Sequence, residues 1–324
     1  MPIKLPTWAP SIRPHQVAAI QEIIKAFNSG HRIVMLDAPT GSGKTLIGEL
    51  VGQSLNARRL YLCSSLQLQE QFRRDFPEAA ILMGRANYPT HDYSTRFPNL
   101  NAGDCVKERV TFPGCSSCDV ADDGHEGMHC PWCHEVEDCP YEVAKARAIQ
   151  SDLVCTNTSY FLYEANYVGM LPLMRDLVII DEADTLEDVM LSFVEVHITA
   201  KRAKEWHLPP PERKTVESAW VEWAAESKHR LANRVVHGKS LEAIRERQIL
   251  QRIRNNIERL NDPETGLAAG GWVYTGYKTG DITFKPVNIG HLTHDYLWRH
   301  APRFLLMSAT TISFDVMATT LGIS

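Results

Sequence analysis

Between Ile33 and Thr45 the chain reads I-V-M-L-D-A-P-T-G-S-G-K-T: an apolar run ending in Asp37, a glycine-containing loop, then Lys44-Thr45. Leu46, Ile47, Leu50 and Val51 follow at helical spacing. Strand, loop and helix in that order is the setting a phosphate-binding loop requires. Gly41 and Gly43 let the backbone curl so that its N–H groups face inward, and the helix start adds partial positive charge. On this reading Ala38, Pro39, Thr40, Gly41, Ser42 and Gly43 cradle the phosphates of ATP. Lys44 reaches the β- and γ-phosphates and Thr45 supplies a Mg²⁺ ligand. Ala38 stands where the strict pattern has its first glycine, so the match is to the looser [AG]-x4-G-K-[ST] form.

A nucleotide loop of this kind belongs to an α/β fold, and the pattern continues accordingly. Arg59–Ser65 reads as a strand, Leu66–Phe76 as a helix and Ala80–Met83 as a third strand. Such alternation predicts a parallel sheet covered on both faces, with ligands at the C-terminal strand ends, where Ser64 and Ser65 lie. Their hydroxyls either touch a nucleic-acid backbone or cap the helix that follows. Upstream, Arg13-Pro14-His15-Gln16 opens an amphipathic helix, and Gln16 either hydrogen-bonds an adenine edge or lies on the helix surface.

Leu177–Ile180 is a continuous apolar run, as a central parallel strand should be, and it ends in Asp181-Glu182-Ala183-Asp184. A strand-end aspartate holds Mg²⁺, and the adjacent glutamate is placed to orient and deprotonate the attacking water. Asp181 and Glu182 with Lys44 therefore form the catalytic set, and Glu182 points to hydrolysis rather than binding alone. A last strand, Arg303–Met307, ends in Ser308-Ala309-Thr310, whose hydroxyls are placed to bond back toward Asp184.

The rest of the chain is less regular. From Gly84 to Pro140 no period is sustained, and Cys105, Cys115, Cys118, Cys130, Cys133 and Cys139 fall in this stretch, with His125, His129 and His134 among them. Thiolates at these spacings suit a tetrahedral zinc site or a [4Fe–4S] cluster, and the residues leave the two open. Cys63 and Cys155 sit in apolar strands and read as core thiols. Thr199–Leu260 is helical and charged around Pro209-Pro210-Pro211. Arg245, Arg247, Arg252, Arg254 and Arg259 there form either a backbone-contacting face or a solvated one. Trp272–Tyr274 and Ile282–Phe284 suggest a hairpin.

Composition narrows the function classes. The 324 residues carry a net charge of −5, so no global basic field marks a purely electrostatic nucleic-acid binder. The N-terminus lacks an apolar signal segment and no apolar run is long enough for a bilayer, which predicts a soluble cytoplasmic protein without a membrane partner. Eight cysteines in a reducing compartment favour metal or cluster ligation over disulfides.

The order R-P-x-Q, A-P-T-G-S-G-K-T, L-Q-x-Q-F, a cysteine-rich insertion ending C-P-Y, L-V-C-T-N, V-I-I-D-E-A-D and S-A-T resembles the first half of the iron–sulphur superfamily 2 DNA helicases of the XPD/DinG type. The resemblance implies a RecA-like P-loop NTPase domain with a parallel sheet, a Cys-rich cluster insertion and a mainly helical arch-like insertion. Mapped onto this chain, residues 1–84 and 141–198 and the final strand and helix, 301–324, make the RecA-like domain. Residues 85–140 make the cluster insertion and 199–300 the arch. The resemblance makes Cys105, Cys130, Cys133 and Cys139 the [4Fe–4S] ligands, with Cys115 and Cys118 the alternative pair. It further implies ATP-driven translocation on single-stranded DNA and 5′-to-3′ unwinding.

Three departures stand out. Asp184 replaces the family's usual histidine, giving D-E-A-D, and Thr90 occupies a place where relatives often have a first cysteine. The sequence also stops at Ser324, soon after S-A-T, so the second RecA-like domain is expected in another chain or in a missing C-terminal part, and hydrolysis by this chain alone is expected to be weak. The alternative reading is a nucleotide-dependent nucleic-acid-binding module with structural zinc and no unwinding; a further one is an ATP-regulated protein whose Thr199–Leu260 helices bind a partner.

Overall fold

A computed structural model describes residues 4–89, 101–102, 139–168, 175–237, 241–276, 280–310 and 313–323. Five of the six candidate cluster cysteines, Cys105, Cys115, Cys118, Cys130 and Cys133, lie outside the described residues, as do Thr90 and the three nearby histidines. The chain divides into two compact units, the second being essentially Met190–Ile289.

The first unit is built on six parallel strands: β1 (Ile33–Asp37), β2 (Arg59–Cys63), β3 (Ala80–Ile81), β4 (Leu153–Asn157), β5 (Leu177–Ile180) and β9 (Phe304–Ser308), in the spatial order β1-β9-β5-β2-β4-β3. This is the RecA-like fold. The apolar strands are buried on both sides: Leu177, Val178, Ile179 and Ile180 are all within 1 % of full burial. Helices α1 (Pro14–Asn28), α2 (Lys44–Ser54) and α3 (Leu66–Asp75) flank the sheet. Ile20, Ile23 and Phe27 of α1 and Leu46, Ile47, Leu50 and Val51 of α2 join the core beneath Ile179 and Met307. Close approach of α2 depends on Gly48, where a Cβ would come within 3.2 Å of Ile179.

Register follows from the pairing. Asp37 lies opposite Ser308, Leu62 opposite Ile180, and Cys63 opposite Asn157. The segments leaving β1, β9, β5, β2 and β4 therefore emerge along one rim of the sheet, where ligands of open parallel sheets bind.

The second unit joins helices Ala200–Glu205, Glu217–Ala232 and Leu241–Leu260 to a three-stranded antiparallel sheet. The expected hairpin is present as β7 (Trp272–Tyr274) and β8 (Ile282–Pro286). No sequence period marks β6 (Val196–Ile198), which pairs with β8 on its other side and sits with this unit. Three residues alternating buried, exposed, buried are too few to register as a period. Gly290–Tyr296 and the residues after it belong with the first unit, where Thr293 Oγ1 and Trp298 Nε1 both donate to Leu321 O. Trp220, Trp223, Tyr274 and Phe284 form the aromatic core of the second unit, with Trp220 stacked on Tyr274 at 4.2 Å.

Candidate functional site

The loop between β1 and α2 turns at its glycines. Gly41 and Gly43 both have a φ of +83°, a region open to glycine at no steric cost. Gly43 carries a second constraint, because a Cβ there would run into Gln16 Nε2. The start of α1 is wrapped over the loop: Arg13 donates to Gly41 O at 3.4 Å, His15 Nε2 lies 3.2 Å from Ser42 O, and Gln16 Nε2 donates to the same oxygen at 2.9 Å. Gln16 Oε1 accepts from Arg13 N–H at 2.9 Å, and the side chain is 3 % exposed. Gln16 is thus no surface side chain of the helix but a clamp on the loop. Lys44 opens α2 and donates from Nζ to Ala38 O at 3.0 Å, beneath the loop it serves.

Adjacent strand ends bring the second half of the site alongside. Asp181 N–H donates to Leu62 O at 2.9 Å, and Ala38 N–H donates to Ser308 O at 3.0 Å, fixing β5 to β2 and the loop to β9. Between the loop and Asp181 stands Tyr61, on β2, 2 % exposed. Its hydroxyl donates to Asp181 Oδ2 at 2.7 Å and lies 3.4 Å from Thr45 Oγ1. Burial pushes the Asp181 carboxyl up from its ordinary range, opposed by hydrogen bonds from Tyr61 and the Glu182 N–H and by the charge of Lys44. Tyr61 itself is pushed well above 10.0 by burial and by the Asp181 charge, so it stays a donor. Sequence reading missed Tyr61; its one signal was a phenol between two leucines of a strand, where a buried hydroxyl needs a partner.

Glu182 follows with φ +53° and ψ 47°, a left-handed backbone uncommon for a residue other than glycine. Ser64 Oγ donates to Glu182 Oε2. Ser65, its neighbour, caps α3 by accepting from Leu68 N–H at 3.3 Å. Asp184 accepts from Ser308 Oγ at 2.7 Å and Thr310 Oγ1 at 3.2 Å, the link expected between D-E-A-D and S-A-T.

Gln16, the loop from Ala38 to Thr45, Asp181 and Glu182 are therefore collected along one rim. Of the cysteines expected to hold a cluster, Cys139 is the one among the described residues; it is 5 % exposed at the N-terminal cap of the helix Pro140–Gln150. Among the described residues no group of three or more His, Cys, Asp or Glu is placed to hold a metal ion. Among the suspected arginines, Arg254 is committed internally, donating to Leu231 O at 2.6 Å and Arg234 O at 2.6 Å. It caps a helix end; it does not offer a free cationic face.

A family model for ResIII, the res subunit of type III restriction enzymes, matches residues 9–192, which hold every element of this rim except Ser308 and Thr310. The chain belongs to the ResIII family. It is thereby a nucleotide-binding helicase-family domain of superfamily 2. The ResIII chain is also similar to a solved XPD helicase, with a TM-score of 0.52 at 16 % identity, over 98 % of this chain and 61 % of that one. A truncated XPD matches with a TM-score of 0.51 at 16 % identity, over 94 % and 96 %. At such identity the likeness is one of fold, and this ResIII chain spans 61 % of the XPD helicase it matches. No curated protein sequence matches it. Among the described residues no helix is long and apolar enough to cross a membrane.

Proposed function

We propose that this chain is the ATP-binding half of an iron–sulphur DNA helicase, which couples ATP hydrolysis to movement along single-stranded DNA once a second RecA-like domain completes it. One observation carries the ATPase part of the reading: the Tyr61 hydroxyl donates to Asp181 Oδ2 at 2.7 Å and lies 3.4 Å from Thr45 Oγ1, so the two residues expected on the Mg²⁺ side stand at a single hydroxyl. Lys44 and the loop take the phosphates of ATP, Thr45 and Asp181 would hold Mg²⁺, which would neutralise charge on those phosphates, and Glu182 takes a proton from the attacking water. In comparable NTPases an arginine supplied from outside raises the rate about 10³- to 10⁵-fold, so the isolated chain turns over slowly. Cys105, Cys130, Cys133 and Cys139 are the proposed cluster ligands, with Cys115 and Cys118 the alternative pair.

Nucleotide binding and single-turnover hydrolysis test this directly. Lys44→Ala should abolish tight binding of a fluorescent ATP analogue, while Glu182→Gln should keep binding and slow hydrolysis at least ~100-fold. Equal hydrolysis by wild type and Glu182→Gln would overturn the assignment.

A further inference from the structure

The parallel register that sets Leu62 beside Ile180 also sets Ser64 beside Glu182, each two residues beyond its paired position. Two kinds of contact hold the glutamate there. Its carbonyl accepts from both the N–H and the Oγ1 of Thr185 at 2.9 Å, which pins the left-handed turn. Its carboxylate is held separately, by Ser64 Oγ. The other polar groups near the end of β2 are occupied: Ser65 caps α3, and Asn157, at the end of β4, accepts from Tyr160 N–H at 2.7 Å. Ser64 alone of these three faces the expected base, and it is exposed.

A serine hydroxyl has one proton to donate. While that proton rests on Glu182 Oε2, one carboxylate oxygen is engaged, its basicity is lowered, and the direction of the carboxylate is fixed by β2. A phosphodiester oxygen arriving at the exposed strand end competes for the same proton. Its negative charge also repels the carboxylate already there.

We infer that Ser64 is a latch on Glu182, opened when a backbone phosphate of a bound single strand takes the Ser64 hydroxyl. The inference rests on the helicase reading above. Once free, Glu182 accepts a proton from water as the water oxygen bonds to the γ-phosphorus. The bond from phosphorus to the β–γ bridging oxygen breaks, leaving ADP and inorganic phosphate. Ser64 is a positioning residue in this scheme: it touches neither nucleotide nor water, and its effect is to make hydrolysis wait for the strand.

The test is single-turnover ATP hydrolysis with and without oligo(dT), in wild type, Ser64→Ala, Ser64→Thr and Glu182→Gln, with affinity for a fluorescent ATP analogue as the check on folding. Ser64→Ala should raise the strand-free rate about tenfold, the worth of a hydrogen bond to a charged group, and shrink stimulation by oligo(dT) by a similar factor. Ser64→Thr, which restores a hydroxyl, should bring the stimulation ratio back toward wild type. Ser64→Gly repeats the test if the alanine variant loses nucleotide affinity. A strand-free rate that is unchanged or lower in both hydroxyl-less variants overturns the latch, while hydrolysis sensitive to Glu182→Gln leaves the ATPase reading standing. A faster Ser64→Ala with no oligo(dT) effect on wild type overturns the single strand as the releasing partner. Absence of Glu182-dependent hydrolysis in every variant overturns both readings.

Discussion

Tyr61 donates a 2.7 Å hydrogen bond to Asp181 from within the sheet, its phenol filling the space between β2 and the strand-end carboxylate. The contact orients an acid that burial disfavours in its charged form, and it leaves the second oxygen, Oδ1, to accept from the Glu182 N–H at 3.0 Å. Both carboxylate oxygens are therefore aimed before any cation binds.

Removing only that hydroxyl should weaken Mg²⁺ handling without unfolding the chain. Tyr61→Phe keeps the ring against Phe72, whose centroid is 4.5 Å away, so the core stays filled. The Mg²⁺ concentration needed for half-maximal binding of a fluorescent ATP analogue should rise about tenfold, with little change in binding at saturating Mg²⁺. An unchanged Mg²⁺ dependence would remove Tyr61 from the site.

Asp181 should also set a pH dependence of stability when nucleotide and Mg²⁺ are left out. Its carboxyl is raised above the ordinary 3.8 by burial, so the folded protein keeps the proton to higher pH than the unfolded chain does. The resulting stabilisation is fully present below 3.8 and is lost as pH rises through the raised folded value, so at neutral pH the buried carboxylate is a cost. Asp181→Asn, which still accepts from Tyr61, should melt higher than wild type at pH 7, and the advantage should fade on acidification. Thermal unfolding across that range reads it out; a lower midpoint for the variant at pH 7 would contradict the assignment.

Ser308 and Asp184 should prove energetically coupled. The Ser308 hydroxyl is buried between Asp184 Oδ1 and the Thr310 N–H, at 2.7 and 3.1 Å, and ties β9 to the turn after β5. Ser308→Ala should cost about 1–2 kcal/mol, and a double-mutant cycle with Asp184→Ala should return a coupling of about 1 kcal/mol. Strictly additive effects would mean that the link carries no energy.

Metal analysis of an anaerobic preparation should return about four irons per chain with matching acid-labile sulphide. Cys139→Ser should reduce that content. Stoichiometric zinc in a colourless protein would replace the cluster with a structural zinc site and move the function toward an ATP-dependent binding module.

Much of the rim was legible because its signals are local. An apolar run, a loop with glycines at 41 and 43, and Lys44-Thr45 can be read within thirteen residues, since each requirement is a backbone conformation or a charge next to its own strand. The same holds for Leu177–Ile180 leading into Asp181-Glu182, and for Ser65 as a helix cap. Periodicity likewise sets which segments are strands, because a side chain's face depends only on its neighbours.

Which strands lie side by side is a different kind of information. The order β1-β9-β5-β2-β4-β3 puts residue 308 against residue 37 and residue 62 against residue 180, across chain separations that no local pattern encodes. Only that order turns Tyr61 from a core aromatic into a donor to Asp181, and Ser64 from one of two strand-end serines into the partner of Glu182. Packing of α1 against α2, around a single strand, brings Gln16 to Ser42. In the second unit, packing alone turns Arg254 from a surface cation into a helix cap. Sequence by itself determined the chemistry each segment can offer; tertiary structure decided which groups share a hydrogen bond, because a donor's partner is chosen by position in space.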